Sequence, residues 1–155
     1  MIEKESIEVI NTHFVFPNDT NNYGTIFGGK LVELMDLTGA LSALRFSGEN
    51  VVTASIEALD FKIPINLADI VELRSKVIYA ARTSMVAKID VYREEKQGST
   101  KDFCCRGYFI FVAIDQNGRP KPIPKLKTVS EEDKRFWKIG ETIKSRAHER
   151  RTASP

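Results

Sequence analysis

Histidine is scarce in this chain: His13 and His148 are the two it has in 155 residues. One falls in a β-branched, aromatic segment and the other in a basic stretch near the end. Neither has a second ligand at zinc spacing or a credible place in a serine–histidine triad. Histidine-based catalysis is therefore disfavoured, and His13 reads as a strand histidine with its hydrogen bonds satisfied. Cysteine is equally scarce, and the two present, Cys104 and Cys105, are neighbours. On a regular strand neighbours point to opposite faces, which argues against a disulfide between them and for reduced thiols. No apolar run approaches the roughly 18 residues of a membrane helix. The opening MIEKESIEVI carries acids and lacks the apolar core of a secretory signal, so a cytoplasmic protein is expected. Without such a signal, the glycosylation-like NDT at 18–20 carries no weight. A net charge of +2 is too small to argue for nucleic acid across the whole molecule. A Gly-x-Ser-x-Gly elbow, a P-loop and a Gly-x-Gly-x-x-Gly after a strand are absent as well.

What remains is an ordinary globular composition, 42% hydrophobic and 28% charged, in a chain long enough for one domain with a proper core. Residues 6–16, SIEVINTHFVF, read as a first strand, and PNDTNNYG after them as a loop. Residues 28–47, GGKLVELMDLTGALSALRFS, contain no proline and have helical spacing. Leu34, Leu37, Leu41 and Leu44 follow one stripe, Gly39, Ala40 and Ala43 another, and Gly48 is placed to end the helix. The period then changes to alternation. An apolar-rich stretch runs over 51–63 to Pro64, and 70–80 and 83–94 alternate cleanly. Residues 103–114 are apolar on both faces except for Arg106, as in a strand covered on both sides. DQNG at 115–118 is a turn and RPKPIPK an extended connector. A terminal helix follows, capped by Ser130, with Glu131, Glu132 and Asp133 suiting its N-terminal dipole. Phe136, Ile139 and Ile143 give it an apolar edge. Gly140 weakens its interior by about 1 kcal/mol, and the last residues, RTASP, read as loose.

The order strand, long helix, four strands, terminal helix predicts an α+β fold in which an antiparallel sheet wraps around one long central helix. Residues 1–128 form the single domain and 129–155 a helical extension and tail. One sheet face and its edges stay uncovered in such a layout, so at least a dimer is expected.

With histidine set aside, the chemistry falls to carboxylates, most of which lie on polar faces or in loops. Asp36 differs, because its neighbours one turn away are Val32, Glu33, Gly39 and Ala40. A carboxylate buried there without a partner would hold its proton more tightly, which suits a general base near neutral pH. A structural hydrogen bond near the helix start is the alternative. The pair Gly28 and Gly29 opens the same helix. Free amides at a helix start can polarise a carbonyl and hold an oxyanion, and glycine lets a ligand approach them. Tight packing is the alternative reason for these glycines. Taken together, amides and carboxylate suit attack of water on an acyl carbonyl.

In order along the chain, NDTNNYGTIFGGKLVELMDLTGALSA, VVTASIEALDFKIPI, ADIVELRSKV, RTSMVAKIDV and GYFIFVAIDQNGRPKPIP resemble the hotdog-fold acyl-CoA thioesterases of the YciA and brain-type acyl-CoA hydrolase group. The match runs from about residue 15 to residue 126. It implies a hotdog fold and hydrolysis of acyl-CoA thioesters without metal or organic cofactor, coenzyme A being part of the substrate. It also implies a homodimer as the minimal unit and a trimer of dimers, a hexamer, above it. Asp36 would be base or nucleophile, Asn21 would contribute from the facing protomer, and the amides near Gly28 and Gly29 would polarise the carbonyl. Thr83 and Ser84 fall where relatives contact CoA, and Phe61 and Pro64 line the acyl or pantetheine path. The cations Lys62, Arg82, Arg119, Lys125 and Lys127 could meet the CoA phosphates. Two departures stand out: Ala68-Asp69 where relatives commonly have Gly-Asp, and Tyr23 before the loop glycine, where it bears on substrate choice. A hotdog domain that binds acyl-CoA without turning it over, as sensor or carrier, is the competing reading. A hotdog hydratase would need a histidine near the helix.

Overall fold

The computed structural model describes residues 2–57, 59–98 and 100–153. Its strands are β1 (Glu3–Lys4), β2 (Val9–Phe14), β3 (Asn50–Ile56), β4 (Ile70–Ala80), β5 (Ser84–Glu94), β6 (Lys101–Ile114) and β7 (Lys125–Leu126). Its long helices are α1 (Gly28–Ser47) and α2 (Glu131–Thr152), and a short 3-10 turn spans Pro17–Asp19. Five strands make one antiparallel sheet in the order β2-β4-β5-β6-β3, and β1 and β7 form a separate parallel pair. The sheet curls around α1, as the alternation of period predicts. The first strand is shorter than its apolar run, because Val15 donates its amide to the Asp69 carbonyl and accepts from the Ala68 amide, at the turn before β4, and Pro17 starts a turn. The stretch 51–63 is likewise strand only as far as Ile56. The tail is more ordered than its composition suggests, with α2 continuing to Thr152, while Ser154 and Pro155 lie outside the described residues. Among the described residues no helix is long and apolar enough to cross a membrane.

The small-residue stripe of α1 faces the sheet. Leu31, Leu34, Met35, Gly39, Ala43 and Phe46 are buried in one cluster with Val71, Leu73, Ile89, Phe109 and Phe111. A Cβ on Gly39 would lie 3.1 Å from both Ile89 and Phe111, so the helix sits as close as it does because that side chain is missing. The leucine stripe is split. Leu34 is core, whereas Leu37 and Leu44 stand 54% and 44% exposed on the side of α1 away from the sheet.

The cysteines depart from expectation because of how β6 pairs with β5. A register shift opposite Val91 and Tyr92 puts a bulge in β6, and Cys104 and Cys105 both turn into the same core. They are free, and the hydrogen bond with Cys104, together with burial, pushes the Cys105 thiol up. Cys104 Sγ donates to the carbonyl of Ile63 at 3.5 Å, tying β6 to the segment that follows β3.

On the convex face α2 lays Phe136, Ile143 and Ala147 over Ile78, Val86 and Ile110. Gly140 is at the crossing, where a Cβ would lie 2.4 Å from the Cβ of Tyr79. Helix propensity alone favours Gly140→Ala by about 1 kcal/mol, but the clash with a fixed backbone-proximal atom outweighs it. The variant is expected to lose roughly 1–3 kcal/mol, read as a lower urea midpoint. Ala68 is the opposite case, with φ at +70° in the left-handed region that alanine adopts at a cost of about 1–2 kcal/mol. Ala68→Gly is expected to raise stability by up to about 1 kcal/mol, the relief being partly offset by the freer unfolded chain. A lower midpoint would show that the turn is unstrained.

Candidate active site

Helix α1 begins without a side-chain cap: Phe27 holds the N-cap position and offers no acceptor. The amides of Gly28 and Gly29 therefore point outward at an exposed, positive helix start. Packing within the chain explains neither glycine. A Cβ on Gly28 would make ordinary contact with Phe61 at 3.7 Å, and one on Gly29 would meet nothing within 4 Å. Beside them lies a cavity of about 330 Å³ lined by Ile26, Gly28, Leu31, Phe61, Pro64 and Ile65, with Lys62 at its wall.

Asp36 is half-buried rather than buried, and it is not alone. Thr53 Oγ1 donates to its Oδ1 at 2.6 Å. Thr53 stands on β3 directly opposite Phe111, which packs in the core against α1, so the regular alternation of the strand turns its hydroxyl toward the helix, and a bulge follows at Ala54. Sequence reasoning passed over Thr53, one of two hydroxyl residues, with Ser55, in the otherwise apolar VVTASI. The regular course of α1 puts Asp36 about 12 Å along the axis from Gly28. One chain's amides and its carboxylate therefore do not meet on a single carbonyl.

Asn21 is held in its own loop. Its Oδ1 accepts from the amides of Tyr23 at 2.9 Å and Thr25 at 3.3 Å, and its Nδ2 donates to Thr25 Oγ1 at 2.9 Å. Gly24, with φ at +78°, makes the reversal possible. The loop is anchored by Asp19, which accepts from His13 Nε2 at 2.8 Å and the Phe16 amide at 2.9 Å, with Lys30 3.8 Å away. Burial alone would raise this carboxyl, but the bonds from His13 and Phe16 and the charge of Lys30 hold it below its ordinary range. His13 is thus a satisfied strand histidine. At the tip of the loop, Tyr23 is 89% exposed.

Arg82, Thr83 and Ser84 occupy the β4–β5 turn. Ser84 pairs with Val112, which pairs with Val52, so this turn sits at the Thr53 end of the sheet. Ser84 is buried, Thr83 half-buried and Arg82 exposed. Of the outlying cations, Arg119, Lys125 and Lys127 are all exposed. The structure therefore gathers Gly28, Phe61, Lys62 and Pro64 around one cavity and joins Asp36 to Thr53. Asn21, Tyr23 and the β4–β5 turn stay in separate places.

Residues 23–99 match the model of the thioesterase superfamily. YkhA of Bacillus subtilis, an uncharacterized acyl-CoA thioester hydrolase, is 37% identical across 96% of this chain and 84% of its own. The chain belongs to the thioesterase superfamily. Among solved structures, a hexameric acyl-CoA thioesterase superposes with a TM-score of 0.90 at 33% identity, covering 97% of each chain. An acyl-CoA hydrolase of Staphylococcus aureus bound to coenzyme A does so with a TM-score of 0.90 at 30% identity, over 98% of this chain and 92% of that one. The hotdog fold implied by the sequence motifs is therefore the fold found. The Staphylococcus aureus enzyme has been solved with an asparagine, an aspartate or a threonine replaced by alanine. Fifteen positions separate its asparagine from its aspartate and seventeen more its threonine. Asn21, Asp36 and Thr53 have the same spacing.

Proposed function

We propose that this protein hydrolyses acyl-CoA thioesters to the free acid and CoA, in a site completed by a second copy of the chain. The observation that carries the reading is the pairing of Asp36 with Thr53 some 12 Å along α1 from an uncapped helix start. A thioester carbonyl must lie about 3 Å from both the attacking group and its hydrogen-bond donors. The two halves meet that condition when Asp36 of one protomer faces Asn21, Gly28 and Gly29 of the other. The surface for such a meeting exists: Leu37 and Leu44 are exposed on α1, and β3 is an edge strand with one side unpaired. The match in spacing to the three positions replaced in the Staphylococcus aureus hydrolase supports the same trio. Residues 1–128 are the catalytic domain and 129–155 an extension braced on its convex face. By its likeness to the hexameric acyl-CoA thioesterase, the dimers associate in threes.

In the proposed reaction Thr53 fixes one oxygen of Asp36, leaving the other to take a proton from water as that water attacks the carbonyl carbon. The tetrahedral oxyanion rests on the amides of Gly28 and Gly29, with Asn21 placing the thioester or the water. Collapse breaks the C–S bond, and the proton passes from Asp36 to the departing sulfur. This chemistry uses no metal or organic cofactor. Phe61 and Pro64 line the cavity for the acyl or pantetheine part, Tyr23 bears on chain length, and Arg82, Thr83 and Ser84 lie on the Asp36 side for contact with CoA.

The test is thiol release from acyl-CoAs of short to long chain. Turnover of at least one chain length well above buffer is expected; tight CoA binding with no turnover of any would favour the sensor or carrier reading. Thr53→Val keeps the shape and removes the hydroxyl. It is expected to lower kcat roughly 10-fold, the scale of one hydrogen bond to a charged group discounted for partial exposure. Full activity in this variant would remove Thr53 from the mechanism.

A further inference from the structure

Residues 59–65, between β3 and β4, belong to no strand or helix, yet Phe61, Ile63, Pro64 and Ile65 form one wall of the cavity beside Gly28. No regular ladder fixes that wall, so its place depends on a few separate bonds. The Lys62 amide donates to the Cys104 carbonyl at 3.1 Å, and the Ile26 amide to the Ile65 carbonyl at 2.7 Å. The Cys104 thiol reaches the Ile63 carbonyl at 3.5 Å. Pro64 has no N–H to offer. Among the described residues its carbonyl has one donor, Arg93 Nη1 at 3.1 Å.

Arg93 stands near the end of β5, opposite Val71 on β4 and Asp102 on β6. Its side chain is only 18% exposed; its Nη2 donates to Asp102 at 2.9 Å, and Glu95 lies 3.8 Å away. Its Nε is buried without an acceptor among the described residues. A buried N–H left unpaired costs stability, and a largely buried ion pair can often be replaced by apolar side chains at no loss. Stability therefore does not account for a guanidinium at this place. Its aim does: Asp102 holds one arm of the fork, and the other arm reaches the cavity wall. We propose that Arg93 is a positioning residue for substrate binding: aimed by Asp102, it latches the wall at Pro64 and holds the cavity to the width of the thioester chain. This rests on the thioesterase reading and adds to it a residue that touches no substrate. Without the latch the wall gives way and binding weakens. Arg93 meets none of the groups that react, so the chemical step keeps its rate.

Arg93→Met keeps an unbranched apolar stem and removes the guanidinium, while Asp102, 48% exposed, is left facing water. With the best acyl-CoA of the panel, KM is expected to rise about 10-fold, the scale of one hydrogen bond from a charged group, and kcat to stay within about threefold. Arg93→Lys, whose single ammonium can still reach the Pro64 carbonyl, should recover part of that loss. Asp102→Ala should raise KM about threefold in the wild type and add nothing in Arg93→Met. Gly140→Ala, destabilised on the convex face, is the control for stability alone and should keep the wild-type KM. Hydrogen exchange reads the wall itself: the amides of Lys62 and Ile26 should exchange about 10-fold faster in Arg93→Met, and those in the middle of α1 no faster. A lower kcat at wild-type KM would mean only fewer folded molecules and overturn the proposal. So would a KM that rises as much in Gly140→Ala, or an Asp102→Ala effect that persists in full in Arg93→Met. Unchanged exchange at Lys62 and Ile26 would show that the wall stands without its latch. If the wild type hydrolyses no thioester, the catalytic reading fails, and the exchange result still decides whether Arg93 holds the wall.

Discussion

Replacing Asp36 by asparagine is expected to lower kcat by about 10²–10⁴-fold, the usual share of a positioned general base, while leaving the fold intact. Asparagine has the same shape, and its Oδ1 can still accept from Thr53, which donates to Asp36 at 2.6 Å. The local geometry therefore survives, and what disappears is the charge and the capacity to take a proton. Because the carboxylate is half-exposed and no buried cation depends on it, the substitution leaves no group stranded. Thermal unfolding should accordingly coincide with that of wild type, and KM should move far less than kcat. Glu33→Gln is the control: Glu33 is exposed on the same helix, paired only with Lys30 at 3.3 Å among the described residues, and should stay within about twofold of wild type. An Asp36→Asn enzyme within twofold of wild type would remove the carboxylate from the mechanism. Single turnover in water labelled with oxygen-18 adds the next step: label in the enzyme's own carboxylate marks direct attack by Asp36, label in the product alone marks activated water.

What could be read in the sequence, and what could not, divides along physical lines. Periodicity is local, so α1, β4, β5 and the capped start of α2 were legible, and so was the curl of an alternating sheet around one long apolar helix with a stripe of small residues. Pairing between strands is not local. Cys104 and Cys105 share a core because β6 slips by one residue against β5, and Thr53 reaches Asp36 because β6 pairs it opposite Phe111 on the core side of the sheet. Both events depend on a partner strand that no single segment specifies. Gly140 misled for a related reason: its cost to an isolated helix is intrinsic, but its reason is Tyr79, distant in sequence. For the site, Asp36 and the glycine pair were singled out from spacing alone. Asn21 came only through resemblance, since its side chain is spent on the loop that carries it. Spacing also suggested that amides and carboxylate act together within one chain. A regular helix separates them by about 12 Å and so forbids it.

That separation leads to the expected result with the largest contrast. If each site takes Asp36 from one protomer and Asn21 from the other, two inactive variants can repair each other. Asp36→Asn and Asn21→Ala are each expected to be nearly inactive as homodimers. When the two are mixed, unfolded together and refolded, chains should reassort at random, so that about half of the dimers hold one of each. In such a mixed dimer the Asn21→Ala chain supplies an intact Asp36 to the intact Asn21 of its partner, which rebuilds one site, while the other site carries both defects. Activity per chain should therefore return to about one quarter of wild type, one good site of two in half of the dimers. Mixing without unfolding should recover this level only as fast as the dimers exchange subunits. Recovery that never rises above the sum of the parents would place both residues in one chain's site, and the regular helix between Gly28 and Asp36 would then have to break to bring them together. Coexpression with two different affinity tags isolates the mixed dimer directly, and there the expectation rises to about half of wild type. A single intact site in a dimer is the stoichiometry that an interface-spanning carboxylate demands and that a site within one chain cannot produce.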